Sequence, residues 1–314
     1  MKTTGFVILF ALAVALLYQG TAAAEEITHS FLGCGQQTYL MDEAGNKTWS
    51  YPHSTRDGFV LEDGTIVLTL SKSKEHPGGA VMKFPSRGEE TVLWKGTQAE
   101  VNSAQPTTTG TFVLTEAGPN PRLLEIDGEG KVLLEFPLQC QKANHHMQTR
   151  MARKLADGTY LVPHLHDFAV FHYDAKGEVL RKFDTTVSGD EKHAIHSWPF
   201  TAIRTPEGNT LVCCTHSNRV VEFDAEGKIV WQLTNDDLPG PWLQDPCGAQ
   251  VLPGGNLVIT SYAGGAKDPQ APKLIEVTRE KKVVWTYANG ERVGIHHFQI
   301  LSTNGEKLSG PPAK

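Results

Sequence analysis

One phrase recurs six times along this chain: a tight turn, then a run of β-forming residues. Its first two copies are Asp63-Gly64-Thr65-Ile66-Val67-Leu68 and Thr109-Gly110-Thr111-Phe112-Val113-Leu114. It returns over residues 157–162, 207–212 and 254–259, and in a weaker form over 304–308. The anchoring glycines, Gly64, Gly110, Gly158, Gly208, Gly255 and Gly305, are separated by 46, 48, 50, 47 and 50 residues. Self-similarity at so narrow a period constrains the fold more than composition does. Each repeat has to be one structural unit that buries its apolar faces against its neighbours.

A second phrase keeps step with the first. Its best copy is Glu222-Phe223-Asp224-Ala225-Glu226-Gly227-Lys228-Ile229-Val230-Trp231, with near-copies over residues 125–135, 172–181 and 276–285 and a looser one over 82–94. One further copy, Leu40-Met41-Asp42-Glu43-Ala44-Gly45-Asn46-Lys47-Thr48-Trp49, precedes the first copy of the opening phrase. Each phrase reads as two strands around a turn in which Asp, Asn or Gly supplies the unusual backbone angles. The first would join strands A and B of a unit, the second strands C and D. Four strands in about 48 residues is the size of a propeller blade. Apolar residues recur at every second position or in short runs, with no helical period. A two-sheet sandwich also has short, evenly spaced strands, but it does not repeat one phrase six times in register. The expected fold is all-β: a six-bladed β-propeller. Residues 296–308 supply an A–B pair and residues 38–51 a C–D pair, so the sixth blade is shared between the N- and C-termini. That closure leaves no unpaired edge between first and last blades. Residues 25–35 are expected to lead in as an irregular arm.

The N-terminus sets the expected compartment. Lys2 precedes an unbroken apolar run over residues 6–17, and Ala22, Ala23 and Ala24 precede Glu25 and Glu26. That is the pattern of a signal peptide over 1–24 cut after Ala24, with a single propeller domain over 25–314. The apolar run falls short of the ~20 residues a spanning helix needs. The mature protein is therefore expected to be exported, periplasmic or extracellular, free of the membrane and monomeric. The net charge is −6 and no basic cluster is present. Counterion release from nucleic acid needs such a cluster, so DNA and RNA are excluded as partners. The five cysteines are odd in number and fit neither a metal knot nor a disulfide framework. Cys213 and Cys214 are adjacent in a predicted strand, face opposite sides and read as buried apolar residues. A single bridge involving Cys34, Cys140 or Cys247 is left open.

In a propeller the D–A and B–C connections emerge on one face around the channel mouth. Ten of the thirteen histidines fall there on this reading: His53, His145, His146, His164, His166, His193, His196, His216, His296 and His297. Aligning the A strands on their turn glycines gives three columns. Six positions before the glycine lie Gly58, Ala104, Ala152, Ala202, Ala249 and Gln299, mostly small residues suited to packing near the axis. Eight before it lie Arg56, Asn102, Arg150, Phe200, Cys247 and His297; ten before it lie Ser54, Glu100, Gln148, Trp198, Asp245 and Ile295. Polar groups of several kinds converging on a concavity with an aromatic suit a small molecule. The candidate ligand-binding set is Arg56, Asn102, His146, Gln148, Arg150, His196, Trp198, His216, Asp245 and His297. The two arginines suit a carboxylate or sulfate, or equally could pair with Glu100 and Asp245 across the channel. His164 and His166 stand one residue apart, a spacing with which a strand can present two ligands to a divalent metal. The alternative is a histidine acting as general base or nucleophile.

The segment Val221-Glu222-Phe223-Asp224-Ala225-Glu226-Gly227-Lys228-Ile229-Val230-Trp231, with Pro206-Glu207-Gly208-Asn209-Thr210-Leu211-Val212, resembles the repeats of quinoprotein-type and bacterial arylsulfotransferase propellers. The resemblance covers most of the mature chain and lies in blade architecture, which many functions share. Eight-bladed quinone-dependent dehydrogenases have longer chains than this. Arylsulfotransferases imply His, Arg and Asn at the channel, and propeller polysaccharide lyases imply His and Gln around a metal. The resulting expectation is an exported propeller binding a small anionic or carbohydrate-like ligand at its His/Arg-lined mouth. A metal-assisted lyase or sulfotransferase-like enzyme and a protein-docking scaffold are the alternatives.

Overall fold

The computed structural model describes residues 26–85, 88–141, 144–186, 196–264 and 268–314. The expected signal peptide and His193 lie outside them. Six antiparallel sheets form the ring. Strands A to D of blade 1 are Thr55–Val60, Ile66–Leu70, Ala80–Phe84 and Thr91–Lys95. Blade 2 has Glu100–Pro106, Phe112–Ala117, Arg122–Ile126 and Val132–Pro137; blade 3 has Arg153–Lys154, Tyr160–His164, Ala169–Tyr173 and Val179–Asp184. Blade 4 has Ser197–Arg204, Thr210–His216, Arg219–Phe223 and Ile229–Leu233; blade 5 has Ala249–Val251, Leu257–Thr260, Leu274–Val277 and Val283–Tyr287. Among the described residues, no helix is long and apolar enough to cross a membrane.

The sixth blade corrects the expected closure. Its strand A is Ile295–Thr303, but strands B, C and D are His29–Gly35, Thr38–Met41 and Lys47–Tyr51. The ends therefore meet one strand to three, not two to two. The segment read as an irregular arm is a full strand B, pairing Leu32 with Gln299 and Gly33 with Phe298. After Asn304-Gly305 the chain does not build strand B. Instead Glu306–Lys307 folds back along the free, axial edge of strand A. The residues that follow rise inside the channel, where the Val251 N–H donates to the Ala313 carbonyl at 3.0 Å.

The second phrase is explained by its turn. In four C–D turns the leading aspartate accepts the backbone N–H four residues on: Asp42 from Asn46 at 2.7 Å, Asp127 from Lys131 at 2.9 Å, Asp174 from Glu178 at 2.9 Å and Asp224 from Lys228 at 2.8 Å. This Asx turn demands a left-handed residue before the last position, met by Gly227 at φ 86°. Blade 5 has Lys281 there instead, at φ 67°.

The core lies between blades rather than within them. Alternate residues of each strand face the two neighbouring blades. Cys213 joins Leu257 and Ile259 of blade 5, whereas Cys214 joins Leu161 and Val170 of blade 3. All five cysteines are buried and free, so no bridge forms among Cys34, Cys140 and Cys247. The column of small residues packs as expected: a Cβ added to Gly58 would meet the Cys34 Sγ at 2.6 Å. Gln299, the large member of that column, instead clamps the backbone of Val60 in the next blade, at 2.8 and 3.2 Å.

Candidate functional site

A cavity of about 340 Å³ opens on the face where the D–A and B–C connections meet. Irregularities at the tops of the A strands place its walls. In blade 1 the pairing jumps from Thr55–Leu70 to Asp57–Thr69, leaving Arg56 as the extra residue. In blade 4 it jumps from Pro199–Cys214 to Thr201–Cys213, leaving Phe200; in blade 6 it jumps from Gly35–Ile295 to Cys34–His297, leaving His296. A bulge bends the strand and re-aims the extra side chain. Arg56, Phe200 and His296 all line the cavity. Blade 2 has the same irregularity at Asn102 and Ser103.

One side of the cavity is cationic. Arg56 and Arg150 line it together with His146. Glu100, almost fully buried behind them, accepts from Arg56 at 3.0 Å and from His146 Nδ1 at 2.9 Å, and lies 3.3 Å from Lys72 Nζ. Burial alone would raise the Glu100 carboxyl, but the His146 hydrogen bond and the Arg56 charge outweigh it and hold it down to about 2. Burial, with the Arg56 charge added, brings the Arg150 guanidinium down to about 9. Arg150 donates to the Thr149 carbonyl at 2.7 Å. The Nε atoms of Arg56 and Arg150, and both amide atoms of Asn102, are buried without a partner.

The other side is aromatic. Trp198, Phe200 and Tyr262 line it, and His296 completes it as a neutral ring. Burial, then the Arg56 charge, drives His296 down to about 3, and its Nδ1–H donates to the Arg56 carbonyl at 2.9 Å. Asp245 and His216 stand on this side, both with left-handed backbones at φ 49° and 62°. The Asp245 carboxylate accepts the His216 backbone N–H at 2.7 Å, while its own N–H donates to Asn218 Oδ1 at 2.9 Å. Strained backbones of this kind persist where neighbours over-determine them and cluster at functional sites.

Of the sequence-derived set, Arg56, His146, Arg150, Trp198, His216 and Asp245 therefore share one cavity. Asn102 is buried and does not line it. His196 lies beyond the lining, its ring 5.8 Å from Trp198 and 6.2 Å from His216. Gln148 is turned away and clamps the Gly118 backbone at 2.8 and 3.1 Å. His297 is one layer too deep: it is fully buried, with Nδ1 3.4 Å from Asp57 and 3.2 Å from Lys314 Nζ. Its glycine-based alignment is off by one because Gly305 does not close an A–B turn like the other anchoring glycines, and His296 takes the lining position. Glu100 stood in the ten-before column and pairs with Arg56 at 3.0 Å, whereas Phe200 and Tyr262 carried no polar pattern to single them out.

His164 and His166 are not brought together as a metal pair. His164 stacks on Phe171 at 4.0 Å and contacts Asp167 and the Tyr173 hydroxyl at 3.3 and 3.2 Å, on the side of blade 3 that faces blade 2. His166 follows in the turn, with its ring 6.5 Å from Trp198 of blade 4. The strand ends at His164, so the alternation of side chains does not carry across. Among the described residues, no group of three or more His, Cys, Asp or Glu is placed to hold a metal ion.

Fold and cavity together define a six-bladed β-propeller with a charged and aromatic mouth. No protein-family model and no curated protein matches the chain. A protein of unknown function from Bacteroides caccae has a similar solved structure, with a TM-score of 0.74 and 22% identity over 86% of this chain and 98% of that one. Virginiamycin B lyase from Staphylococcus aureus, as an inactive variant with quinupristin, gives 0.57 and 14% over 88% and 94%. A chain of a nidogen–laminin complex gives 0.60 and 12% over 87% and 98%. At these identities the likeness is one of fold, and it carries the propeller architecture without the finer resemblance to quinoproteins or arylsulfotransferases.

Proposed function

We propose that this chain is an exported binding protein that holds a small anion at the mouth of its channel, gripped by Arg56 and Arg150. The observation that carries this reading is a pair of guanidinium groups, Arg56 and Arg150, lining one cavity. Glu100 is the carboxylate beside them, and it is already shared with His146 and Lys72. A carboxylate or sulfate offers the planar or forked acceptor that guanidinium groups recognise. Calorimetric titration with acetate, sulfate, phosphate and benzoate tests it. Saturable binding of at least one anion, lost in an Arg56→Gln/Arg150→Met double variant, is the expected result. No binding of any of the four, or equal binding by the double variant, overturns the reading. Export is tested separately by the N-terminal mass of the protein recovered from its native host, expected to begin at Glu25.

One observation favours a second reading, catalysis. His146 gives its Nδ1–H to the Glu100 carboxylate and lines the cavity. A base oriented by a carboxylate is the arrangement of a proton-abstracting site, and a lyase shares the fold. On this reading His146→Asn abolishes turnover of a bound substrate while leaving its binding intact.

A further inference from the structure

The cavity's second half says what kind of anion it takes. We infer that the ligand is an aryl monocarboxylate, its carboxylate on Arg56 and Arg150 and its ring against Trp198, Phe200 and Tyr262. This inference rests on the anion-binding reading and names the ligand class within it. The two halves are continuous through Phe200, whose ring centre lies 5.3 Å from the Arg150 guanidinium. Phe200 and Tyr262 meet His296 edge to face at 4.7 and 5.4 Å. Trp198 lies 4.1 Å from His216, centre to centre, at an angle of 47°. Met147, Leu165 and Cys247 add apolar lining. Aromatic faces and edges so arranged favour another ring over water. An inorganic anion would satisfy the arginines and leave this wall wet. At about 340 Å³ the cavity is at the lower end of the ~300–1,000 Å³ typical of small-molecule sites.

Asp245 sets the limit on charge. Its carboxylate belongs to the aromatic side of the cavity, where the His216 backbone N–H holds it at 2.7 Å. A ligand that places a second carboxylate at that end meets like charge; a neutral or hydrogen-bond-donating end does not. Arg56, Tyr262 and Asp245 line the same cavity, so both poles face one space.

Calorimetry with acetate, sulfate, phenylacetate, 4-hydroxyphenylacetate and terephthalate tests the inference on the unmodified protein. Phenylacetate and its 4-hydroxy form are expected to bind roughly tenfold or more tighter than acetate or sulfate, and terephthalate roughly tenfold more weakly than phenylacetate. Trp198→Ala should bring phenylacetate to the level of acetate, and Asp245→Asn should admit terephthalate. Equal binding of acetate and phenylacetate overturns the aryl inference while the anion reading stands. Binding of none of the five overturns both. Terephthalate binding as tightly as phenylacetate removes the role of Asp245. The ligand series decides the matter even where a variant fails to fold.

Discussion

Two layers of the channel use the same chemistry to different ends. The upper layer holds Arg56, Arg150 and His296 around an open cavity, with Glu100 buried behind them. Directly beneath, Arg153, His297 and Lys314 surround Asp57, and all four are buried. Asp57 lies 3.1 Å from Arg153, 3.2 Å from Lys314 and 3.4 Å from His297. Lys314 also donates to the Gly58 carbonyl at 2.7 Å, and Arg153 Nε donates to the Lys314 carbonyl at 2.6 Å. In the lower layer the chain's own lysine enters the ring of charges, and the charges become structure. In the upper layer no segment of the chain does so, and Arg56 and Arg150 line an open cavity. Adjacent residues are dealt alternately to the two layers: Arg56 above and Asp57 below, His296 above and His297 below.

The largest expected effect breaks the lower layer. Asp57→Asn leaves buried cations without their carboxylate and should cost about 3–5 kcal/mol in denaturant-induced unfolding. Added benzoate should not restore it, because the site is closed. A loss under about 1 kcal/mol would mean the layer does not hold the ring together. Glu100→Gln removes the matching carboxylate above and should cost about 1–3 kcal/mol. Here millimolar benzoate should recover part of the loss, since the cavity is open; failure to do so removes the contrast between the layers.

Acid titration sharpens the same comparison at smaller amplitude. The folded pKa of His296 is depressed to about 3, so the native state stays unprotonated while the unfolded chain takes up a proton below its ordinary value of 6.5. Stability from this group is complete above that value and is lost as pH falls towards 3, by at most about 1.4 kcal/mol per pH unit. Glu100, depressed from 4.5 to about 2, adds a second loss over that lower window. Urea midpoints between pH 7 and pH 4 should therefore fall, and His296→Asn should flatten the decline between pH 6.5 and 4.5. The smallest change is expected at Arg150. Burial already disfavours its charge, so Arg150→Met should move stability by about 1 kcal/mol or less while abolishing anion binding. A larger loss would make Arg150 a structural residue like Arg153.

The sequence showed the ring because five blades carry both an A–B and a C–D turn and the sixth carries a C–D turn, and both kinds are written in local chemistry. Asp224 and Gly227 specify a C–D turn whatever surrounds them. The face on which the cavity opens followed from the strand order, and Arg56, Arg150, Trp198 and Asp245, expected there, line it. The individual layer was harder to see. Counting back from Gly305 selected His297, while the bulge that lifts His296 into the cavity arises from pairing with residues 29–35, some 260 positions away. The His164-x-His166 spacing misled for a related reason: the strand ends at the first of the two. The aromatic half, Phe200 and Tyr262, carried no polar pattern that would separate it from ordinary core.

What the sequence determined by itself is therefore the part governed by near neighbours: the paired hairpins of five blades and the C–D hairpin of the sixth, their turns and the alternation that buries two faces of every inner strand. What only the tertiary structure decided is the part governed by distant pairing. It closed the ring one strand to three, raised Arg56, Phe200 and His296 into the cavity, and sent Lys314 into the layer below. The reason is physical. A turn is stabilised by atoms within four or five residues of one another, whereas a bulge, a strand partner or a buried charge is chosen by whatever the completed ring brings alongside.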